Sequence, residues 1–485
     1  MLSILLLATL CLSQQMPGPF VGPANISMVP CINNCTATND SATCNTMCKC
    51  TPSTINVDVF TRYQTFDGFG TSLAWFAYIL GNASDPNRDM LADLFFDPDK
   101  GLGLNVVRYD IPGGENPMYN FVDLRATIPS YEPELGNFTW SVDAAQLWFL
   151  RAAISRGVQF KEAFTNSPPY WMTYSGSATG NHEGYENLDV RFYGHFVDYM
   201  VTSVQHFRDN FNISFQTLEL FNEPLANYWH FGGTQEGCRI SLSTQQTIVP
   251  MLAQALLDKK LNTTITASDD ETVNQTFYTT QAFNQTGVIS NISKINTHTY
   301  SGSMRTELYN LTTTLNKTLW MSEYGDGDPA GLNTTHEIME DLQQMRPSAW
   351  CYWQAVDTIS SGWGFISANV NTLGNYTYVI QPKYYVMAQF TKFLRPGFTF
   401  VNTTDTAVVA AVQANTLVIV SSKCGANTFN VSSFGPAPRT VQFFHTVPWQ
   451  GIYYQPAGNA SVVNGMLTFN VTVGGLASIE LMRMS

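Results

Sequence analysis

Two glutamates, Glu223 and Glu323, carry the clearest chemical signal in the sequence. Glu223 stands in LELFNEPLANYW, and Glu323 stands in TLWMSEYGDGD about a hundred residues further along. Each ends a short apolar run that is typical of a buried parallel strand, and a loop with glycine or proline follows. Two carboxyl groups placed in this way can cleave a glycosidic bond. One protonates the leaving oxygen, and the other attacks the sugar carbon or activates a water.

A regular alternation of strands and helices begins near residue 56 and can position these glutamates. Helical patterns separate eight apolar or β-branched runs, which predict strands at 65–70, 103–110, 158–165, 216–222, 263–268, 293–299, 318–323 and 348–355. Eight strands alternating with helices favour an α/β fold, a closed (β/α)8 TIM barrel, over an open sheet. In such a barrel the functional groups lie at the C-terminal ends of the strands.

The pattern changes after residue 397, where short runs of alternating Val, Thr, Phe and Ser replace the helices. These runs predict a C-terminal all-β sandwich side domain. We therefore divide the chain into four segments. They are a signal peptide at 1–13, a cysteine-rich extension at 14–55, the catalytic barrel at 56–397 and the β-sandwich domain at 398–485, to which a strand from 56–66 contributes.

The first residues, MLSILLLATLCLS, form an apolar run that is too short to span a bilayer and is typical of a secretory signal. Asn-x-Ser/Thr sequons recur eighteen times between Asn25 and Asn470. Together these features predict a secreted glycoprotein, with the vacuole or lysosome as alternative destinations. No later segment has 18 consecutive apolar residues, so we expect no membrane insertion.

The sequence has nine cysteines, and five of them lie within residues 31–50. Disulfides are the expected state in a secreted chain, whereas a zinc site would need histidines that this segment lacks. Five cysteines cannot all pair among themselves. We therefore expect one of them to bond to Cys238, Cys351 or Cys424. A disulfide-linked cap is the main interpretation of the segment, and a small carbohydrate-binding knot is the alternative.

The net charge of -13 disfavours nucleic acid and anionic membranes as partners. Aromatic residues make up 13% of the chain, which fits either a large core or a protein that packs sugar faces against rings. We expect a monomer that acts on a polysaccharide or glycoconjugate.

Other strand ends offer groups that could assist the two glutamates. Arg108 ends the second predicted strand and could keep Glu323 ionised. His298 and Tyr300 end the sixth and could hydrogen-bond the same carboxylate. Asn222 precedes Glu223 and could hold the sugar 2-hydroxyl, a contact that strengthens in the transition state.

Aromatic side chains that follow the strands are candidate sugar platforms. Trp75 follows the first predicted strand, Trp171 follows the third, and Trp353 ends the eighth and is the best candidate for the floor of the site. Asp269 belongs to the acidic run SDDET after the fifth strand. It could bind sugar hydroxyls, although an acidic N-cap of the next helix is the simpler interpretation.

Several segments together resemble glycoside hydrolase family 30, most closely its fungal-type endo-β-1,6-galactanase branch. The segments are DGFGTSLAWFA, LGLNVVRYDIPGG, EAFTNSPPYWM, FNEPLANYW, QEGC, ASDDET, HTYSG and SEYG. The resemblance covers the chain from about residue 56. It implies a barrel with a side β-sandwich and a retaining double displacement, with Glu223 as acid/base and Glu323 as nucleophile. It also implies that no metal or organic cofactor takes part.

The resulting prediction is a secreted retaining endo-β-1,6-galactanase. A β-1,6-glucanase or a glucosylceramidase-like β-glucosidase of the same family is the alternative, because galactose and glucose differ only at the C4 hydroxyl. An alternative of another class is an inactive carbohydrate-binding surface glycoprotein. Loss of either glutamate would indicate such a protein, but both are present.

Overall fold

The computed structural model describes residues 50–359, 361–369, 377–438 and 440–484. The signal segment predicted at 1–13, and the cysteine-rich extension up to residue 49, lie outside the described residues. Within the described part of the chain, none of the helices combines the length and the apolar character needed to cross a bilayer.

A closed barrel of eight parallel strands forms the centre of the molecule. The first described strand, β1 (Thr54–Thr65), belongs to a second sheet. The barrel strands are β2 (Gly68–Ser72), β3 (Val106–Asp110), β4 (Phe160–Phe164), β5 (Thr217–Glu219), β6 (Thr264–Thr272), β7 (Ile292–Ser301), β8 (Thr318–Tyr324) and β9 (Ala349–Gln354). All eight overlap the runs that the sequence predicts, so the TIM-barrel prediction is confirmed.

The barrel closes where β9 pairs in parallel with β2 and places Ala349 opposite Gly68. All residues of β2, β3 and β9 are buried. Parallel strands that are covered on both faces read as continuous apolar runs, and for this reason the sequence signal was strong.

Helices lie between the barrel strands and follow the last one. They are α1 (Phe76–Leu80), α2 (Asp85–Phe96), α3 (Ala144–Ser155), α4 (Tyr193–Phe211), α5 (Leu242–Asp258), α6 (Val273–Thr286), α7 (Arg305–Thr314), α8 (Leu332–Glu340) and α9 (Pro382–Thr391). Their ends follow ordinary capping rules. The side chain of Ser241 caps the start of α5, and α4 ends at Asn212, whose φ of +56° is left-handed.

The all-β module predicted after residue 397 is also confirmed. Its strands are β13 (Thr399–Thr403), β14 (Val408–Gln413), β15 (Thr416–Ser421), β16 (Gly425–Asn430), β17 (Thr440–Val447), β18 (Ile452–Val463), β19 (Met466–Val471) and β20 (Leu476–Met482). Strand β1 joins them, antiparallel to β13 and parallel to β16, and the sheet closes on itself. A small sheet of β10 (Val356–Thr358), β11 (Ile366–Ala368) and β12 (Tyr378–Ile380) lies beyond the end of β9.

Two kinds of contact attach the β module to its surroundings. On the barrel side, Gln389 of α9 donates to the hydroxyl of Thr446 at 3.0 Å and accepts from Ser478 at 2.7 Å. On the other side, a disulfide joins Cys50 to Cys424. The predicted bond between the cysteine cluster and a distant cysteine is therefore confirmed. Cys238 and Cys351 are buried free thiols, and burial raises the pKa of Cys351 to about 12.

The barrel interior is charged as well as apolar. Glu162 on β4 accepts hydrogen bonds from Lys294 at 2.8 Å, from Asn296 at 2.8 Å and from Arg108 at 3.2 Å. Buried charges are tolerated only when they are paired in this way. The network therefore holds the Arg108 side chain inside the barrel, and its guanidinium group extends to the C-terminal ends of the strands.

Candidate active site

The C-terminal ends of the barrel strands surround a cleft of about 290 Å³. Its lining combines carboxyl groups, amides and aromatic rings, contributed by Trp75, Asn166, Asn222, Glu223, Tyr228, Gln235, Glu271, Tyr300, Glu323, Trp353 and Trp363. Both predicted catalytic glutamates are therefore brought together, with one carboxylate oxygen of each lying within 4.8 Å of the other.

Glu323, in β8, has a separate donor for each carboxylate oxygen. The Tyr300 hydroxyl donates to Oε1 at 3.0 Å, and Nη1 of Arg108 donates to Oε2 at 3.0 Å. Burial raises the pKa of Glu323 to about 7, although the charges of His298 and Arg108 oppose this effect. The surroundings therefore hold the carboxylate in one orientation, with its charge balanced by cations on one side.

Glu223 follows β5 and is almost fully buried. The Tyr228 hydroxyl donates to its Oε2, and Nδ1 of His298 lies 3.1 Å from its Oε1. The backbone of Glu223 has a φ of +49°, in the left-handed region that is costly for a non-glycine residue. Strain of this kind concentrates at functional sites, because the fold must hold the side chain in a defined direction.

The structure corrects the role expected for His298. Its closest carboxylate contact is Glu223, whereas its Nε2 lies 3.5 Å from Asp269 and 3.7 Å from Glu323. Burial alone would lower the pKa of His298, but the neighbouring carboxylates, with Glu323 foremost, raise it to about 10. The raised pKa favours the cationic form of His298, whose ring lies between the two glutamates.

Arg108 and Asp269 lie beneath the cleft and do not line it. Asp269 is therefore not placed to bind sugar hydroxyls, whereas Arg108 contacts Glu323. Both side chains are fully buried and form an ion pair, and Ser322 donates to the other Asp269 oxygen. Burial raises the pKa of Asp269, but Arg108 and His298 outweigh it, so the net shift is downward. Arg108 remains cationic because Asp269, Glu162 and Glu323 raise its pKa against the effect of burial.

Two of the three predicted aromatic platforms belong to the cleft. Trp353 and Trp75 both line it and pack edge to face, with ring centroids 5.1 Å apart. Trp171 does not line it. Its indole N–H donates to the carbonyl of Glu132 at 2.9 Å, and its ring packs against Phe192. Trp171 is therefore held by contacts outside the cleft lining, and the prediction of a sugar platform there was wrong.

Asn222 is nearly buried and lines the cleft, as predicted from its position before Glu223. Its Oδ1 accepts no hydrogen bond from any residue in the described part of the chain. A buried amide oxygen without a partner is costly unless a ligand donates to it, so Asn222 can receive a substrate hydroxyl.

The sequence arguments missed three residues of the lining, Asn166, Gln235 and Trp363. Asn166 follows β4 and is held by a hydrogen bond from its Nδ2 to Asp110 at 3.1 Å. A systematic search of every strand end would have found Asn166. Gln235 and Trp363 lie in long loops, where no periodicity marks their orientation.

Glu223, His298 and Glu323 each offer an atom within 4.8 Å of the others, a spacing that could hold a metal ion. A histidine binds a metal through an unprotonated nitrogen. The neighbouring carboxylates raise the pKa of His298 to about 10, which favours its protonated form at neutral pH. The three side chains can also exchange protons and balance one another's charge.

A (β/α)8 barrel with two facing carboxyl groups in an aromatic-lined cleft defines a glycoside hydrolase. Comparison with known families agrees, since the profile of "O-Glycosyl hydrolase family 30" matches residues 52–316. The chain belongs to this family.

Individual relatives extend the similarity to nearly the whole chain. An endo-beta-1,6-galactanase from Hypocrea rufa is 31% identical over 463 residues, which are 88% of this chain and 94% of the relative. Among solved structures, a conserved exported protein from Bacteroides fragilis has a TM-score of 0.77 at 20% identity and covers 88% of this chain and 100% of its own. The catalytic domain of GH30 xylanase C from Talaromyces cellulolyticus has a TM-score of 0.68 at 19% identity, with 89% and 100% covered.

Proposed function

We propose that the protein is a secreted, retaining endo-β-1,6-galactanase that hydrolyses β-1,6-linked galactan, such as the side chains of arabinogalactan. The mechanism is supported mainly by the proximity of the two carboxyl groups: an oxygen of Glu223 lies within 4.8 Å of an oxygen of Glu323. Retaining glycosidases hold their carboxyl groups about 5–5.5 Å apart, whereas inverting enzymes need roughly 6.5–9.5 Å to admit a water.

In the first step, Glu323 attacks the anomeric carbon while Glu223 gives its proton to the glycosidic oxygen. The bond to the leaving sugar breaks, and an ester forms between the remaining sugar and Glu323. In the second step, Glu223 takes a proton from a water, which attacks the same carbon and releases Glu323. Two inversions at one carbon give a product with the β configuration of the substrate.

The neighbours of the two glutamates have separate tasks in this scheme. Arg108 and Tyr300 hold Glu323 in line with the anomeric carbon, through one hydrogen bond to each oxygen. Charged His298 balances the negative charge of the cluster and orients Glu223. Asn222 offers its Oδ1, which has no donor among the described residues, to the sugar 2-hydroxyl. A contact there that strengthens in the transition state increases the rate.

The substrate assignment rests on the relative from Hypocrea rufa, whose name gives both the β-1,6-galactan linkage and endo action. Secretion is supported by the Cys50–Cys424 disulfide, because disulfides form and persist in oxidising compartments. The signal segment predicted at residues 1–13 and the abundant sequons point the same way.

A product profile tests the proposal. The protein would be incubated with β-1,6-galactan, β-1,6-glucan and β-1,3-galactan, and we expect rapid release of short oligosaccharides from the first alone. Preference for β-1,6-glucan would replace the substrate assignment and leave the chemistry in place. Release of a single small product from the start of the reaction would replace endo with exo action.

Proton NMR of the first product tests the mechanism on the same sample. Retention predicts that the β anomer appears first and that the α anomer grows in only by mutarotation. Initial formation of the α anomer would contradict the double displacement.

A further inference from the structure

Trp363 forms a wall of the cleft, although it lies in the loop between β10 and β11, far from either glutamate in sequence. Its ring lies 6.2 Å from that of Tyr300, which donates to Glu323, and it packs against the cluster that contains Trp75 and Trp353. A sugar ring bound at Glu323 would therefore meet the Trp363 ring.

Space for the Trp363 ring is provided by Gly325, two residues after Glu323. A Cβ added to Gly325 would lie 2.8 Å from two carbons of the Trp363 ring. Atoms of real side chains do not approach so closely, so any larger residue at this position would displace the ring. The segment SEYG therefore contributes both the carboxyl group and the space for an aromatic neighbour.

A buried lysine on another element holds the loop of Trp363. Lys383, in the first turn of α9, has no exposed side-chain surface. Its ammonium group donates to the carbonyl of Gly362 at 3.1 Å and to the Tyr352 hydroxyl at 2.7 Å. The Tyr352 hydroxyl in turn donates to the carbonyl of Trp363 at 2.5 Å. The carbonyl groups before and after the Trp363 side chain are thus held by Lys383, the first directly and the second through the Tyr352 hydroxyl.

The same lysine also fixes the loop that follows Glu323. Its ammonium nitrogen lies 2.7 Å from the carbonyl oxygen of Asp326 and 2.9 Å from its carboxylate, so its three N–H groups are shared among four acceptors. An apolar residue at position 383 would remove the cationic partner of the Asp326 carboxylate and the nearest donor to the Asp326 carbonyl, and the loss of such charge-assisted hydrogen bonds is costly. Lys383 therefore holds both the loop that follows Glu323 and the loop that carries Trp363.

We propose that Trp363 is a substrate-contacting residue that packs against the apolar face of the sugar bound at Glu323, and that Lys383 is the positioning residue that holds it there. The proposal rests on the proposed glycosidase chemistry for the location of the sugar. It adds a determinant of substrate affinity that lies outside the two catalytic strands, because aromatic rings bind through large apolar faces with defined geometry.

A double-mutant cycle on KM tests the proposal. We expect Trp363→Ala to raise KM for an oligosaccharide substrate roughly tenfold or more, with a smaller fall in kcat, because a lost platform weakens ground state and transition state alike. Lys383→Met should raise KM in the same direction. In the Trp363→Ala background it should add less than about twofold to KM, since its effect on binding passes through the ring that is already gone, whereas its hold on the Asp326 loop beside Glu323 affects kcat.

Two further variants separate positioning from general stability. Tyr352→Phe keeps the Lys383–Asp326 pair but removes the donor to the Trp363 carbonyl, and it should raise KM even if Lys383→Met fails to fold. Lys392→Met is the matched control. That lysine also donates to loop carbonyls, those of Pro98, Asp99 and Gly101, on the segment that enters β3 and away from the cleft. It should leave KM unchanged.

An unchanged KM in Trp363→Ala would overturn the role of the ring. Independent, multiplying effects of Trp363→Ala and Lys383→Met would overturn the role of the lysine. The cycle is run on whichever glycan the wild-type protein cleaves, so a wild type that prefers β-1,6-glucan contradicts the substrate assignment without affecting this test. A wild type that cleaves no glycan would contradict both.

Discussion

Each oxygen of the Glu323 carboxyl group meets a different donor, the Tyr300 hydroxyl on one side and Arg108 on the other. A nucleophile held at both oxygens loses little orientational freedom when it attacks, which is how enzymes gain rate from positioning. The same two bonds favour the ionised form, whereas burial favours the neutral one. Reactivity at this residue therefore depends on neighbours from two other strands.

Replacing the nucleophile gives the most direct test at this scale. Glu323→Gln keeps the shape of the side chain but cannot form the sugar ester, so we expect kcat to fall by at least about 10³-fold. Oligosaccharide affinity by calorimetry and the melting temperature should change little. Glu307→Gln, a change of an exposed carboxyl group on α7 that does not line the cleft, serves as the control and should retain full activity. Retention of a tenth of wild-type activity by Glu323→Gln would contradict the assignment.

The pH profile gives a second test. Because burial raises the pKa of Glu323 to about 7, above its ordinary value of 4.5, kcat/KM should fall as pH drops through this range and the nucleophile takes up a proton. Tyr300→Phe removes a donor to the carboxylate and so favours the neutral form. We expect its acid limb to move to higher pH, by roughly one unit. An acid limb that stays in place would show that Tyr300 does not stabilise the charge.

The chemistry of the site was predictable to the extent that residues end regular strands. Glu323 and Tyr300 belong to barrel strands, and Glu223 lies four residues beyond the end of β5, so all three are near the strand ends where functional groups of such barrels are expected. The burial of Asp269 was not predictable, because its ion pair with Arg108 joins two strands that are distant in sequence. The orientation of Trp171 was not predictable either, since it depends on one hydrogen bond made by a loop.

At the level of elements, the start of α6 differs from the prediction. An acidic N-cap was expected within SDDET, but β6 runs on to Thr272, and Asp269 and Asp270 are buried within that strand. The cap is Thr272, whose side chain accepts from the N–H of Gln275 at 3.2 Å. The strand is longer than its apolar run because an ion pair stabilises the buried carboxylate of Asp269 and a hydrogen bond from Ser268 stabilises that of Asp270.

This cap supports a prediction for stability. Thr272→Ala removes the acceptor and should lower the free energy of unfolding by about 1 kcal/mol. Thr272→Ser keeps a hydroxyl and should retain most of the stability. Urea unfolding of the two variants would measure the difference, and equal losses would show that the hydroxyl does not cap the helix.

The eight barrel strands were the most predictable elements of the fold, since burial on both faces makes them uniformly apolar. The loops carried less information. The small sheet of β10, β11 and β12 consists of three-residue strands that give no periodic signal. Trp363 lies in the loop between β10 and β11. A lining residue that the sequence did not reveal is therefore positioned by a sheet that the sequence did not reveal either.

At the scale of the whole molecule, the Cys50–Cys424 bond joins residues 374 positions apart. Closing so long a loop restricts the unfolded chain, so its removal should cost about 2–5 kcal/mol and lower the melting temperature. Cys50→Ser, Cys424→Ser and the double variant should lose equal amounts, because each breaks the same bond. The kcat on a short oligosaccharide should stay near that of the wild type. A double variant much less stable than either single one would contradict the pairing.

Strand β1 precedes the barrel in the chain, yet its partners follow the barrel. Three of its residues, Ile55, Val57 and Val59, are buried only once β13 and β16 lie beside them. Between Thr65 and Thr399 the ribosome must first make the entire barrel, which at roughly 5–20 residues per second takes on the order of 20–70 seconds. For that time the nascent chain carries an alternating apolar strand with open edges, the kind of segment that chaperones bind and that aggregates when they do not.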